Sequence, residues 1–313
     1  MHALAHPAGI AFLSRRPALI GLVILALLVF APVPRAAADT TYPTPEAAMA
    51  AFRDAVYGRN GKGILDLFGH EYEADLTGGD AAEAQQNVEA LRRMAGQRMT
   101  LESDGPNRMV IVMGRRGWPM PIPLVKGEDG WQFDVKSGVQ EIIDRRIGRN
   151  ELAAIGFCRT YIDAQRKYAA ADHGTGVLAF AQRIRSSEGK HDGLYWPVGA
   201  DGVESPLGPF AADAEPYLAG HKEGDPFYGY YFRILTEQGT NAPGGVYNYV
   251  INGNMIAGFA LIAWPADYGH SGIMTFECSH HGQILQKDLG PDTAAAAAAI
   301  TSYNPDSTWR PAE

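Results

Sequence analysis

Cysteine is scarce in this chain of 313 residues, and several common cofactor motifs are missing. Only two cysteines occur, and they do not form a Cys-x-x-Cys pair, so the usual spacing of a structural zinc site is absent. The sequence also lacks a Walker loop and a dinucleotide-binding fingerprint, and Gly61–Gly63 is too short to hold a phosphate. We therefore expect no cofactor and no metal.

Positive charge is also in short supply. The chain has 27 basic and 35 acidic residues, and residues 1–38 hold three of the arginines and no acid, which leaves a net charge of 24 − 35 = −11 for the remainder. An acidic chain of this kind has no electrostatic footprint for nucleic acid or for anionic lipid. Partners of these two classes are not expected.

The one long apolar run lies in a predicted signal segment. Arg15 and Arg16 precede the apolar run Pro17–Ala31, and the small residues Ala36–Ala38 follow it. This order is typical of a secretory signal peptide, so we predict residues 1–38 as the signal and place cleavage after Ala38. An uncleaved anchor is the alternative, although the run is short for a helix that spans a membrane.

Export has further consequences for the remaining chain. No cysteine follows the apolar run, which excludes a lipoprotein anchor at this site. General secretion is favoured over the twin-arginine route, because Ala18 stands where that signal usually has an aromatic residue. The mature protein is expected in the periplasm or outside the cell, without membrane attachment.

Residues 39–140 are predicted to form an α+β domain. Thr44-Pro45-Glu46 is a helix start with an N-cap, a first-turn proline and an acid, and Ala81–Ala95 repeats apolar residues at helical spacing. Met109–Met113 is then a continuous apolar run, and Trp131–Val135 alternates as a half-buried strand does. The order resembles nuclear-transport-factor-like and cystatin-like cones, in which helices close over a curved sheet.

Residues 141–313 are predicted to form a second α+β domain. Gln140–Arg149 is a charged helical connector, and a long amphipathic helix follows at Asn150–Ala171. Phe227–Gly290 alternates β-rich runs with glycine, proline and asparagine turns, which predicts an antiparallel sheet. The helix is expected to pack on this sheet.

The segment between the long helix and the sheet is rich in glycine and proline. Residues 174–225 are therefore predicted to be irregular, with one short helix near Val177–Arg185. Stretches of this length are usually packed excursions or binding loops.

Seven short motifs are distributed along the whole mature chain. They are Thr44-Pro45-Glu46-Ala47-Ala48, Gly78-Gly79-Asp80, Gly229-Tyr230-Tyr231-Phe232-Arg233, Ala242-Pro243-Gly244-Gly245, Gly258-Phe259-Ala260-Leu261, Trp264-Pro265-Ala266 and Lys287-Asp288-Leu289-Gly290. Together they resemble an exported bacterial family that is catalogued only as domain of unknown function 2950. The resemblance implies no catalytic residue.

A second resemblance concerns the C-terminal half. Asn150–Ile155 with Ala164–Tyr168 looks like the amphipathic part of the long helix in type II secretion pseudopilins, and Gly193–Pro197 looks like part of their globular heads. Pilins begin with a hydrophobic stem helix, whereas here an α+β domain stands in that place. The resemblance implies a pilin-like fold and argues against a pilus subunit.

The two cysteines are predicted to face one core. Cys158 shares a helix face with Ile155 and Ile162, and Cys278 shares strand parity with Phe276. Export permits a disulfide, so we predict a Cys158–Cys278 bond. Two buried free thiols are the alternative, because the sequence does not supply the distance that a bond requires.

Two groups of residues are candidate sites. A polar group, Asp267, His270, His281 and Asp288, would suit a hydrolase, although no nucleophile elbow accompanies it. Aromatic residues flanked by glycine could instead form a binding patch, and core packing is their alternative role. This predicted patch consists of Tyr195, Trp196, Tyr228, Tyr230 and Tyr231.

The sequence favours a binding role over catalysis. We expect a non-enzymatic module that binds an envelope protein or a small ligand, because no acid, base and nucleophile converge in the sequence. A periplasmic hydrolase that uses the polar group is one alternative, and an accessory protein of the secretion or pilus machinery is another.

Overall fold

Helices and antiparallel sheets build the computed structural model, which describes residues 40–58, 62–78, 81–199, 202–213 and 224–312. The predicted α+β class is confirmed. The predicted signal segment lies outside the described residues, as do Gly79 and Asp80 of the family motifs. Within the described ranges, no helix is both long enough and apolar enough to cross a membrane.

The N-terminal half opens with helices. Helix α1 (Pro45–Tyr57) begins as predicted, with the Thr44 hydroxyl accepting a hydrogen bond from the Ala47 N–H at 3.2 Å. Its buried face then packs over the sheet that follows. The next elements are α2 (Lys62–Phe68), a 3₁₀ turn (His70–Tyr72), α3 (Glu73–Thr77) and α4 (Ala81–Gln97).

A small antiparallel sheet follows these helices. Its strand order is β1-β2-β4-β5, and β3 pairs with β2. The apolar run at Met109–Met113 lies in β2, and Leu124 and Phe133 are buried beneath α1. The strands are β1 (Met99–Ser103), β2 (Arg108–Met113), β3 (Trp118–Pro119), β4 (Leu124–Gly127) and β5 (Gly130–Phe133).

One helix of 34 residues, α5 (Val135–Tyr168), connects the two halves. It begins at Asp134, whose carboxylate accepts a hydrogen bond from the Ser137 N–H at 3.2 Å. The predicted strand therefore ends before Val135, and the predicted connector and long helix are one element. The charged connector contains no strong helix breaker, so the helix continues through it.

Helix α5 contributes to two hydrophobic cores. Val139 and Ile143 of its first turns pack with the small sheet. Ile155 and Ile162 of its second half pack with the larger C-terminal sheet. The predicted domain boundary at residues 140 and 141 thus falls inside a continuous helix.

The C-terminal half is built on a five-stranded antiparallel sheet of order β14-β13-β12-β11-β6. Strand β11 is central and pairs with β6 on one side and β12 on the other. Two short ladders, β7 with β8 and β9 with β10, lie between β6 and β11 in the chain. The elements are α6 (Gly208–Asp213), β6 (Tyr230–Leu235), β7 (Glu237–Gln238), β8 (Tyr247–Asn248), β9 (Val250–Ile251), β10 (Asn254–Met255), β11 (Ala260–Pro265), β12 (Met274–Ser279), β13 (Ile284–Asp288), α7 (Thr293–Ala299) and β14 (Arg310–Pro311).

The two faces of this sheet differ in chemistry. Phe276 and Cys278 of β12 lie on the face that packs against α5. Thr275 and Glu277 alternate with them and lie on the opposite face, together with Ile262, which pairs with Glu277 across β11. Both faces of β12 are buried, so Thr275 and Glu277 are buried polar residues on the face that points away from α5.

The predicted Cys158–Cys278 disulfide is wrong. Both cysteines are free and fully buried. The Cys278 thiol lies 3.9 Å from the carbonyl oxygen of Cys158 and contacts the helix main chain rather than forming a bond to the other sulfur. Facing the same core did not guarantee the geometry of a disulfide. Burial raises the pKa of the Cys278 thiol well above its usual range, so this side chain stays protonated.

Candidate functional site

The chain reverses direction just after α5, and a carboxylate fixes the turn. Asp172 Oδ1 accepts hydrogen bonds from the N–H groups of Gly174, Thr175 and Gly176, at 3.0, 2.9 and 3.1 Å. Gly174 and Gly176 have φ values of 90° and 76°, a region that favours glycine. These hydrogen bonds, with the one from Thr175 the largest cause, lower the pKa of Asp172.

A histidine closes over the last turn of the helix. The His173 ring stacks on Tyr168 with 3.7 Å between ring centroids and 11° between planes. The His173 ring nitrogen Nε2 donates to the Tyr168 carbonyl oxygen at 2.9 Å, and the Tyr168 hydroxyl donates to the carbonyl oxygen of His191 at 2.9 Å. Burial raises the pKa of Tyr168 to about 12, so the hydroxyl remains a donor at neutral pH.

A second stacked pair continues this row of rings. His191 stacks on Trp196 at 4.2 Å, and His173 meets the same indole edge-on at 6.0 Å. Trp196 is 4% exposed, and its indole N–H donates to the Val203 carbonyl oxygen at 3.0 Å. The two imidazoles are therefore held on a buried Tyr168–Trp196 base.

A chain of hydrogen bonds positions one arginine beside these rings. Asp192 accepts from the Ser187 N–H at 2.7 Å and from the Ser187 hydroxyl at 2.9 Å. Arg183 Nη1 donates to that same hydroxyl at 2.9 Å. Burial alone would raise the pKa of Asp192, but the bonds from Ser187 and the charges of Arg183 and Lys190 outweigh it and lower the pKa.

The opposite wall is an extended segment, which corrects the short helix predicted at Val177–Arg185. The Phe180 N–H donates to the Met255 carbonyl oxygen at 2.7 Å, and Gln182 Nε2 donates to the Gly253 carbonyl oxygen at 2.8 Å. The segment is thus paired with β10, and this tertiary pairing replaces local helix formation.

These walls line an open cleft, which we call the terminal cleft. Its first lobe has a volume of about 260 Å³ and lies between His173, Val177, Phe180, Arg183 and Asn254. Its second lobe is more open, has a volume of about 490 Å³ and lies between Asp172, Lys190 and His191. His173 and Asp192 line both lobes.

Sequence reasoning missed most of this cleft. Trp196 was singled out, but for an exposed patch rather than as a buried support. The only local signal was the Asp172-His173-Gly174-Thr175-Gly176 run, whose glycines and acid indicate a tight turn. Nothing in the sequence brings this turn to residues 183–192.

The five aromatic residues of the predicted patch do not share an exposed face. Tyr195 is half-buried with the Arg185 guanidinium 5.8 Å from its ring centroid, and Trp196 is buried in the same strand-like segment. Tyr230 is fully buried, and its hydroxyl donates to the Met274 carbonyl oxygen at 2.9 Å.

The other two aromatic residues lie elsewhere. Tyr231 points to the opposite face of β6 from Tyr230, where it is 36% exposed and packs on Trp264 at 5.8 Å. Tyr228 is half-buried beside Phe227 and has a φ of 45°, which is unusual for a tyrosine. Of the five, Trp196 contacts the cleft residues His173 and His191 through its ring.

The predicted polar group is brought together only in part. His270 Nδ1 lies 3.5 Å from an Asp267 carboxylate oxygen in an exposed loop. The Tyr268 hydroxyl of this loop donates to Asp288 Oδ1 at 3.1 Å, which connects the loop to the end of β13. His281 follows the far end of β12 and packs on its neighbour His280 at 4.0 Å. It does not join the other three.

The nearby serine serves the loop itself. Ser271 Oγ donates to the Gly229 carbonyl oxygen at 2.9 Å and accepts from the Asp267 N–H at 2.9 Å. Asn150 of α5 donates to the Ser271 carbonyl oxygen at 2.9 Å, which ties the loop to the helix. In the part of the chain that the structure describes, no group of three or more His, Cys, Asp or Glu residues could hold a metal ion.

The model of a family described as "Protein of unknown function (DUF2950)" matches residues 39–312. The chain belongs to the DUF2950 family. No curated protein and no solved structure is significantly similar to it.

The DUF2950 match confirms the family resemblance, and its description assigns no activity. The cone-like description of the N-terminal half and the pilin-like description of the C-terminal half stay predictions.

Proposed function

We propose that this DUF2950 protein is an exported, non-enzymatic binding module that holds a small ligand, or an exposed group of an envelope partner, in the terminal cleft. The observation that carries the proposal is the preformed cleft around His173 and Asp192. Rings and hydrogen-bonded loops fix its walls, so little ordering is needed when a ligand binds.

Binding suits the terminal cleft better than catalysis does. A general base must direct a lone pair at the proton it removes. Asp172 directs its carboxylate to the amides of its own turn, and Asp192 directs its carboxylate to Ser187. Both carboxylates therefore stabilise the cleft walls.

A hydrolase remains the second candidate because Asp267 and His270 are in contact at 3.5 Å. The pair lies on an exposed loop, and Ser271 already bonds to the main chain. These contacts favour a structural role for the serine. Loss of a hydrolytic activity in His270→Ala would support the hydrolase instead.

Export to the periplasm or beyond is part of the proposal. The family match begins at residue 39, immediately after the predicted cleavage site, which supports a mature chain that starts at Asp39. Mass spectrometry of the protein purified from the envelope fraction should find this N-terminus. A retained segment from Met1 to Ala38 would contradict cleavage.

The binding role can be tested by blocking the cleft. Gln182 is exposed and lines the first lobe, whereas Gln283 is exposed in the turn before β13. Native mass spectrometry of the protein from the envelope fraction should show a bound species in the wild type and in Gln283→Trp. Gln182→Trp should lose it while keeping its circular dichroism spectrum. Equal retention by both variants would exclude the terminal cleft as the site.

A further inference from the structure

We infer that the terminal cleft selects an organic anion, a carboxylate or a phosphate ester, whose apolar portion packs against Val177 and Phe180; this inference rests on the proposed binding function. Arg183 and Lys190 bring two cations to the cleft, and Asp172 and Asp192 bring two carboxylates. Formal charge alone therefore does not predict the sign of the ligand.

The hydrogen bonds of the cleft indicate which sign of ligand charge it prefers. Asp172 accepts from the N–H groups of its own turn, and Asp192 accepts twice from Ser187. Neither Arg183 nor Lys190 forms an ion pair within the described ranges of the chain. The carboxylates are thus occupied, while most donors of the two cations still face water. A ligand anion gains from this arrangement more than a ligand cation does.

The arginine is also held in a suitable position. Arg183 donates one N–H to the Ser187 hydroxyl at 2.9 Å, and this hydroxyl donates in turn to Asp192. The guanidinium is therefore anchored at one corner, and its remaining N–H groups keep the fork geometry that matches carboxylate and phosphate oxygens. Lys190 lines the second lobe and Arg183 the first, and Asp192 lines both, so each lobe has one cation.

The apolar side of the cleft specifies the rest of the ligand. Val177 is 42% exposed, and Phe180 is half-buried beside it in the first lobe. Covering these side chains with an alkyl or aryl group removes apolar surface from water, which favours binding. An anion with an apolar tail satisfies both sides at once, whereas an inorganic anion satisfies one.

Four probes of equal chain length separate the contributions: hexanoate, hexyl phosphate, 1-hexanol and hexylammonium. Each is titrated into the ¹⁵N-labelled mature protein, and dissociation constants are taken from amide shifts. We expect hexanoate or hexyl phosphate to shift the signals of residues 173–183 and to bind at least about tenfold more tightly than 1-hexanol. The tighter of the two identifies the anionic group. Raising the salt concentration should weaken both.

Arg183→Gln and Arg185→Gln form a matched pair. Both arginines are exposed, but Arg185 lies over the Tyr195 ring, outside the lobes. Hexanoate affinity should fall about tenfold in Arg183→Gln and stay within about twofold in Arg185→Gln. Equal losses in both variants would show a diffuse charge effect and overturn the inference.

The probes also separate this inference from the proposed function. If 1-hexanol binds the cleft as tightly as hexanoate, the selection of anions is wrong, yet binding at the cleft stands. If no probe shifts residues 173–183, the ligand class inferred here is wrong, and the binding function is then judged by the Gln182→Trp experiment alone.

Discussion

The side-chain amide of Gln165 exchanges two hydrogen bonds with the main chain of Ala181. Its Oε1 accepts from the Ala181 N–H at 2.8 Å, and its Nε2 donates to the Ala181 carbonyl oxygen at 2.8 Å. Both residues are almost completely buried. The amide therefore takes the place of a neighbouring strand and fixes one wall of the terminal cleft to α5.

Replacing this amide by an apolar group of similar size should be costly. Gln165→Leu leaves a buried main-chain N–H and a buried C=O of Ala181 without partners, and each unpaired group costs about 1–3 kcal/mol. We expect a loss of about 2–5 kcal/mol in the free energy of unfolding, measured by urea denaturation. Gln140→Leu is the control, because the Gln140 side chain is exposed on the same helix and donates to the exposed Asp144 carboxylate. A loss below 1 kcal/mol in Gln165→Leu would show that the pairing is unimportant.

Two glycines of α5 should respond to alanine in opposite directions. A Cβ on Gly138 would lie 2.6 Å from the Cα of Ile122, so Gly138→Ala forces the helix away from the small sheet. Overpacking of this kind costs about 1–3 kcal/mol. At Gly148 a Cβ would meet no atom within 4 Å apart from its chain neighbours and the nearby backbone of its own helix, so Gly148→Ala should stabilise the helix by up to about 1 kcal/mol.

Thermal unfolding followed by circular dichroism checks both changes. The melting temperature should fall in Gly138→Ala and rise in Gly148→Ala. Because both positions lie in the same helix, helix propensity alone predicts a rise in both. That result would contradict the close packing at Ile122.

Several elements of the fold were predictable because their signals are local. Thr44 and Pro45 specify the start of α1 through a cap and a fixed φ. The apolar run of β2 and the alternation of β12 likewise depend only on neighbouring residues. Such patterns specify elements and faces, which is why the α+β class is confirmed.

Distances between elements were not predictable in the same way. Helix and strand periodicity correctly directs Cys158 and Cys278 to one core, but periodicity does not set the separation of two sulfur atoms. The terminal cleft depends on contacts such as Gln165 with Ala181 and His173 with Trp196, which join separate segments. No pattern within one segment contains that information.

The free state of the two cysteines can be tested with a thiol reagent. Cys158 and Cys278 are both fully buried, and the Cys278 thiol stays protonated because burial raises its pKa. The native protein should react slowly with a thiol reagent, since the thiolate is the reactive form. After denaturation without reductant, two thiols per chain should react. If no thiol reacts, the two cysteines form a disulfide after all.

The buried carboxyl of Glu277 should make the stability of the protein depend on pH. Glu277 is 1% exposed, and its Oε2 atom has no hydrogen-bond partner among the described residues. Burial is the largest cause that raises its pKa from 4.5 to about 8, Asp306 adds to the rise, and Lys287 opposes it. A charge on Glu277 would also raise the pKa of the neighbouring Tyr249 and Tyr303 hydroxyls.

The direction in which stability changes with pH follows from the protons bound in the folded and unfolded states. Between pH 4.5 and about 8 the folded chain keeps the proton of Glu277, whereas the unfolded chain loses it. The stabilisation from this group is therefore fully present below pH 4.5 and is lost as the pH rises toward 8, with a slope of up to about 1.4 kcal/mol per pH unit.

Glu277→Gln removes this titration while keeping the shape of the side chain. Urea denaturation at pH 5, 6.5 and 8 should show the wild type losing stability with rising pH relative to Glu277→Gln. The variant should be the more stable protein at pH 8, because it carries no charge to bury. Glu188→Gln, at an exposed position, should follow the wild type. Parallel pH profiles for wild type and Glu277→Gln would mean that the pKa of Glu277 is not raised in the folded protein.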